Sequence, residues 1–96
     1  MTIRVTINCS LKAGIADQLK TFLQQKVPLV RAFNGCENCS IYFDQSAEEM
    51  LIEEQWGSVE MHQQYIQHIE GNGVLQQLAS FFSAPPQIKY FTKDVV

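Results

Sequence analysis

"FNGCENCSIYFDQSAEEMLIEEQW", residues 33–56, contains two runs in which apolar and polar side chains alternate, joined by a short polar link. In the first run Cys39, Ile41 and Phe43 stand opposite Ser40, Tyr42 and Asp44. In the second, over residues 50–56, Met50, Ile52 and Trp56 share a side. A strand sends successive side chains to opposite faces, so this period of two marks half-buried strands. The intervening "QSAEE" is short and polar enough to make the pair a β-hairpin.

The flanking chain is read outward from that hairpin. Upstream, residues 3–9 alternate as well, with Ile3, Val5, Ile7 and Cys9 opposite Arg4, Thr6 and Asn8. "SLKAG" then hands over to a helical period carried by Ile15, Leu19, Phe22 and Leu23. Pro28 has no N–H to donate, which predicts a break or kink near 27–28, a short helical turn through Arg31, and an end at Asn34-Gly35. Downstream, Ser58 is placed to cap a second helix and Glu60 to complement its dipole. Val59, His62, Tyr65, Ile66 and Ile69 make the one-sided stripe of that helix. "EGNG" interrupts it, Leu75, Leu78, Ala79 and Phe82 predict a further short helix, and Pro85-Pro86 stop that one. "QIKYFTKDV" closes the chain as a last strand.

This order, βαββαβ with one added helical turn, predicts an α+β ferredoxin-like sandwich, an antiparallel sheet with helices on one face. Ninety-six residues suffice for one core, so a single domain over 1–96 is expected. Which sheet face the helices cover stays open at this stage.

Composition narrows the function classes. Apolar residues at 46% and charged residues at 18% are those of an ordinary globular domain. The seven Lys and Arg are scattered and the net charge is −3, so neither nucleic acid nor an anionic membrane is an expected partner. The alternating N-terminus lacks the apolar core of a secretory signal, and no apolar run approaches the roughly 18 residues of a bilayer span. Three cysteines are too few and too odd for a disulfide framework, and a cytoplasmic location is expected.

Cys36 and Cys39 stand in C-x-x-C spacing. In extended chain a separation of three aims the two thiols at opposite faces, too badly placed to bridge or to share a metal. A redox pair wants its first cysteine at a helix N-terminus, and here a strand follows. Zinc needs four ligands, which would require Cys9, His62 and His68 to converge from distant elements. The pair is therefore expected to be structural.

No dinucleotide fingerprint, P-loop, nucleophile elbow or H-E-x-x-H occurs, so neither a cofactor nor a metal is expected. What remains is a polar and aromatic set: Asn8, Tyr42, Glu54, Trp56, His62, Tyr65 and His68. Asn8 is a poor strand former in mid-strand and, if buried, would need partners or a ligand. Trp56 and Tyr65 both lie on apolar stripes and have core readings beside functional ones. His62 and His68 are separated by about 240° around a helix, so at most one faces a pocket. Glu53 and Glu54 point to opposite faces and are no paired-carboxylate site.

Several landmarks, in this order and spacing, resemble the antibiotic-biosynthesis-monooxygenase family of dimeric α+β barrels. They are Gly14 opening the first helix, Phe22 before its end, and Gly35-Cys36 before the second strand. Glu54-x-Trp56 closing the third strand and Ser58-x-Glu60 opening the second helix complete them. Many members of the family carry a histidine nine residues after the tryptophan, where this chain has Tyr65. The haem-degrading branch is similar at Asn8, but it has a tryptophan at the Tyr65 position and a histidine further along. No histidine follows His68 here, so haem is not expected.

The resemblance implies a homodimer with one pocket per subunit, and a cofactor-independent oxygenase that oxidises a small electron-rich aromatic, quinol or anthrone, with O₂. Trp56 and Phe22 would then wall the pocket with Tyr42 and His68 near it, and Asn8 would donate to the developing peroxide. The base would be Tyr65, His62 or His68. A non-catalytic ligand-binding or stress-related dimer, and an isomerase of small carbonyl compounds, are the other functions open on this fold.

Overall fold

The computed structural model describes residues 2–96 and has seven elements. They are β1 (Ile3–Ser10), α1 (Ala16–Ala32), β2 (Cys36–Phe43), β3 (Glu49–Trp56), α2 (Val59–Gly71), α3 (Val74–Ala79) and β4 (Gln87–Phe91). The strands form one antiparallel sheet in the order β2-β3-β1-β4. This is the ferredoxin-like α+β arrangement the hairpin and its flanks predict. Among the described residues no helix is long and apolar enough to cross a membrane.

The β2–β3 hairpin is closed by Asp44, whose Oδ1 accepts from the backbone N–H of Glu48 and Glu49 at 2.9 and 2.8 Å, while the Ser46 hydroxyl donates to its Oδ2. These bonds favour the ionised carboxylate and hold its pKa below the ordinary value. At the opposite end the Gly57 N–H donates to the Gly35 carbonyl at 2.9 Å. Gly35 has φ +96, and a Cβ there would meet Met61 at 2.5 Å, so both backbone and space require glycine.

Pro28 does not break its helix, contrary to the expectation. α1 runs unbroken from Ala16 to Ala32 with Pro28 inside it. The lost bond leaves the carbonyl of exposed Gln24 open to water. The burial of Leu19, Leu23, Val27 and Val30 on one stripe holds the helix against the sheet on both sides of the proline. The second helix begins as read, with the Ser58 hydroxyl accepting from the Met61 N–H at 3.1 Å.

Register sorts the sheet into cross-strand rows. Facing the helices are Cys36–Trp56–Ile3, then Cys39–Glu54–Val5–Tyr90, then Ile41–Ile52–Ile7–Ile88, then Phe43–Met50–Cys9. Three of these rows are apolar in character, and the second carries a carboxylate between a thiol and a valine. An irregularity between Cys36 and Asn38 adds a residue to β2 at this point. It overturns the reading of Cys36 and Cys39 as facing opposite ways, because the extra residue brings both onto rows of the helix-covered face. All three cysteines are free thiols.

Candidate functional site

Glu54 owes its position to the alternation of β3: Met50, Ile52 and Trp56 are buried, and so is the carboxylate between the last two, at 3% exposure. Burying a charge this way is costly unless donors surround it. Trp56 Nε1–H donates to Glu54 Oε1 at 2.8 Å, and the Cys39 thiol lies 3.8 Å from Oε2. Desolvation raises the carboxyl pKa above its ordinary value, opposed by these two contacts.

α2 lays His62 and Tyr65 over this row. His62 is fully buried, its ring 5.5 Å from that of Trp56, and its Nε2 sits 3.6 Å from Glu54 Oε1. That nitrogen has no hydrogen-bond partner, whereas Nδ1 is 2.9 Å from the Tyr90 hydroxyl. Burial pulls the imidazole down to about 4, so it is neutral at pH 7. Tyr65 packs between Trp56 and Phe33, with ring centroids at 5.3 and 5.2 Å, and its phenol is pushed up by burial and by the Glu54 charge.

A cavity of about 330 Å³ opens beside this cluster, between the sheet and all three helices. Ile7, Ile52 and Ile88 form its floor, and Phe22, Leu75 and Leu78 are among its walls. Glu54 is the acidic residue in the lining, with Tyr65, Cys39 and Lys26 as the other ionisable side chains. In two other depressions, around Lys20 and Arg31 and around Arg4 and Lys93, the ionisable side chains of the lining are all exposed. Among the described residues no group of three His, Cys, Asp or Glu side chains is placed to hold a metal ion. The site is an apolar chamber with one poised carboxylate, suited to moving a proton on an otherwise hydrophobic molecule.

No protein-family model matches this chain, and no curated protein does. Solved structures do match. A conserved protein of Methanosarcina mazei is 16% identical, with a TM-score of 0.86 over 98% of this chain and 94% of its own. A Bordetella bronchiseptica protein named as a candidate antibiotic biosynthesis monooxygenase is 18% identical, with a TM-score of 0.85 over 98% of both chains. One so named from Deinococcus radiodurans is also 18% identical, at 0.79 over 100% of this chain and 95% of its own. This chain has their fold. The resemblance to antibiotic biosynthesis monooxygenases therefore extends over nearly its whole length, as a likeness of architecture.

The site residues expected from sequence fall into three places. Phe22 and Tyr65 line the cavity. Trp56 and His62 stand behind Glu54 rather than at the cavity wall. His68 lies on the exposed side of α2, its ring 5.3 Å from Phe33, and does not join the cluster. Asn8 and Tyr42 are not brought to it either. They share one row, Tyr42–Leu51–Asn8–Gln87, on the opposite face of the sheet, and both are exposed. Sequence reasoning passed over Glu54 as a centre because it asked whether Glu53 and Glu54 pair. The useful signal was parity, which puts Glu54 in the same row of side chains as Met50, Ile52 and Trp56. Tyr90 carried no signal until register placed it beside Val5.

Proposed function

We propose that the protein is a cofactor-independent monooxygenase of a small electron-rich aromatic, with Glu54 as the base. The observation that carries the reading is a buried carboxylate of raised pKa, fixed by Trp56 at 2.8 Å, at the edge of an apolar cavity. A base whose pKa is lifted toward neutrality serves best at physiological pH. Glu54 removes a benzylic or phenolic proton, and the carbanion or phenolate gives an electron to O₂. The radicals recombine to a carbon-bound peroxide, which loses water and leaves a carbonyl. For a ring methylene the balance is CH₂ + O₂ → C=O + H₂O, with the proton held on Glu54 returned to the leaving oxygen. The apolar walls keep bulk water from the anion.

Tyr65 lines the same cavity, and with its phenol shifted upward it stays protonated and hydrogen-bonds the peroxide. Phe22 stacks at the cavity wall, where the ring of Phe81 braces it at 5.3 Å.

The outer sheet face supports a second part of the proposal, that two copies of this chain associate through it. That face carries Leu51 between exposed Tyr42 and Asn8, and two rows further along it carries Phe91 at 48% exposure. A Leu51→Lys variant should sediment as a monomer if the wild type sediments as a dimer. A monomeric wild type overturns this part alone.

Oxygen uptake by metal-free protein with a panel of hydroquinones and anthrones, corrected for autoxidation, tests the reaction. Saturable uptake that Glu54→Gln lowers by about 10²-fold or more is expected. Uptake no faster than in buffer overturns the oxygenase reading in favour of a non-catalytic binder or an isomerase. Uptake unchanged in Glu54→Gln removes Glu54 from the role of base.

A further inference from the structure

Glu54 and Tyr90 belong to one cross-strand row, on β3 and β4, with Val5 of β1 between them. Two strand spacings put them roughly 9.6 Å apart, too far for contact. The imidazole of His62 spans that gap from above, with Nε2 at 3.6 Å from Glu54 Oε1 and Nδ1 at 2.9 Å from the Tyr90 hydroxyl. Tyr90 is 41% exposed, while His62 is 0% exposed and Glu54 is 3%. The row thus runs from water to the buried carboxylate through a single ring.

We propose that Tyr90 and His62 form a proton relay connecting Glu54 to solvent across the covered face of the sheet. With Glu54 ionised, Oε1 has lone pairs for both Trp56 Nε1–H and His62 Nε2–H, and the Tyr90 hydroxyl donates to Nδ1. Protonation shifts three protons by one bond each. Nε2–H passes to Oε1, the Tyr90 proton passes to Nδ1, and water replaces the proton on Tyr90. The imidazole ends as the other neutral tautomer, with Nε2 accepting from the new carboxyl O–H. No electron moves and no imidazolium is needed, which suits a ring whose burial disfavours charge. The partnerless Nε2 is the open link, closed when the carboxyl rotates a few tenths of an ångström or more toward it.

The other titratable groups around Glu54 do not substitute. Cys39 on β2 and Tyr65 on α2 are pushed up by burial, and Cys36 at the start of β2 is raised in the same direction. Lys26 on α1 lines the cavity, but its ammonium lies 5.9 Å over the Phe22 ring, away from the row.

The use of the relay in turnover rests on Glu54 being the base, but its existence is tested without turnover. Trp56 is the chain's one tryptophan and donates to the relay's end, so its emission reports the protonation of Glu54. After a pH jump the wild type should relax rapidly. Tyr90→Phe should reach the same end point at least tenfold more slowly, with added imidazole restoring the rate. Gln64→Ala, an exposed change on α2, should relax as wild type. Where emission is insensitive to pH, hydrogen–deuterium exchange of the Glu54 carboxyl, read from its infrared band, gives the same rate. Relaxation of Tyr90→Phe within twofold of wild type overturns the relay. Slow relaxation of Tyr90→Phe alongside a wild type that takes up no oxygen above buffer overturns the oxygenase reading and leaves the relay standing.

Discussion

The two faces of one sheet divide the chemistry-bearing residues of this protein unequally. On the covered face the row Cys39–Glu54–Val5–Tyr90 places a carboxylate against Trp56, His62 and a cavity. On the outer face the row Tyr42–Leu51–Asn8–Gln87 holds polar groups too, but Tyr42, Asn8 and Gln87 are exposed and line no part of that cavity. Both rows contain an aromatic or polar candidate. The difference lies in desolvation: a buried carboxylate changes its pKa and its strength as a base, and an exposed amide changes neither. Adjacent positions along a strand are one step apart in sequence and on opposite sides of that boundary.

Truncation on the covered face should be the most disruptive change. Trp56 is fully buried and touches Phe33, His62 and Tyr65 at ring-centroid distances of 6.2, 5.5 and 5.3 Å. Trp56→Ala should cost about 3–5 kcal/mol, a large share of the stability of a small domain, read as a lowered urea midpoint. Trp56→Phe keeps most of the packing and removes only the donor to Glu54. It should remain folded and raise the carboxyl pKa further, because a bond to the ionised form is lost. An unchanged Glu54 titration in Trp56→Phe, followed by infrared spectroscopy, would show that the indole serves packing alone.

The pair Glu54 and His62 should give opposite pH signatures. The His62 pKa falls from 6.5 in the unfolded chain to about 4, so its contribution is present above 6.5 and lost as pH falls toward 4. The full shift corresponds to about 3 kcal/mol at most, and less if water reaches the ring. Glu54 is shifted upward from 4.5, so its contribution is present below 4.5 and lost as pH rises through its folded pKa. The two overlap from 4.5 upward and offset each other there in the wild type. Glu54→Gln should therefore expose a stability that climbs with pH across that window, and His62→Gln one that declines. Urea titrations at half-unit pH steps separate them, and parallel slopes in the two variants would refute the assignment.

How much of this was legible follows the same division. The hairpin, the Ser58 cap and the α2 stripe were readable because period and capping are local properties of the chain. The continuity of α1 through Pro28 was not, because it depends on Val27 and Val30 finding the sheet. The common face of Cys36 and Cys39 was hidden by one extra residue in β2, which no alternation of residue types announces. Asn8, Tyr42 and Glu54 were all singled out from their chemistry, but the face that gains a helix layer is a tertiary fact. Only Glu54 carried its own answer, as a charge set among Met50, Ile52 and Trp56.

The smallest expected effect sharpens the comparison most. Asn8→Ala and Tyr42→Phe alter exposed side chains on the outer face, and surface changes of this kind usually move stability by no more than about 0.5 kcal/mol. If each subunit's cavity works alone, both variants should keep oxygen uptake within about twofold of wild type, since neither side chain reaches the lining. Association of two copies through this face alters the forecast in one way only. Uptake would then fall at low protein concentration in step with dissociation, and it would recover when the protein is concentrated. A loss in Asn8→Ala that persists at every concentration would mean the amide acts on substrate from across the sheet. The outer face would then belong to the site, and the boundary drawn here between the two rows would be wrong.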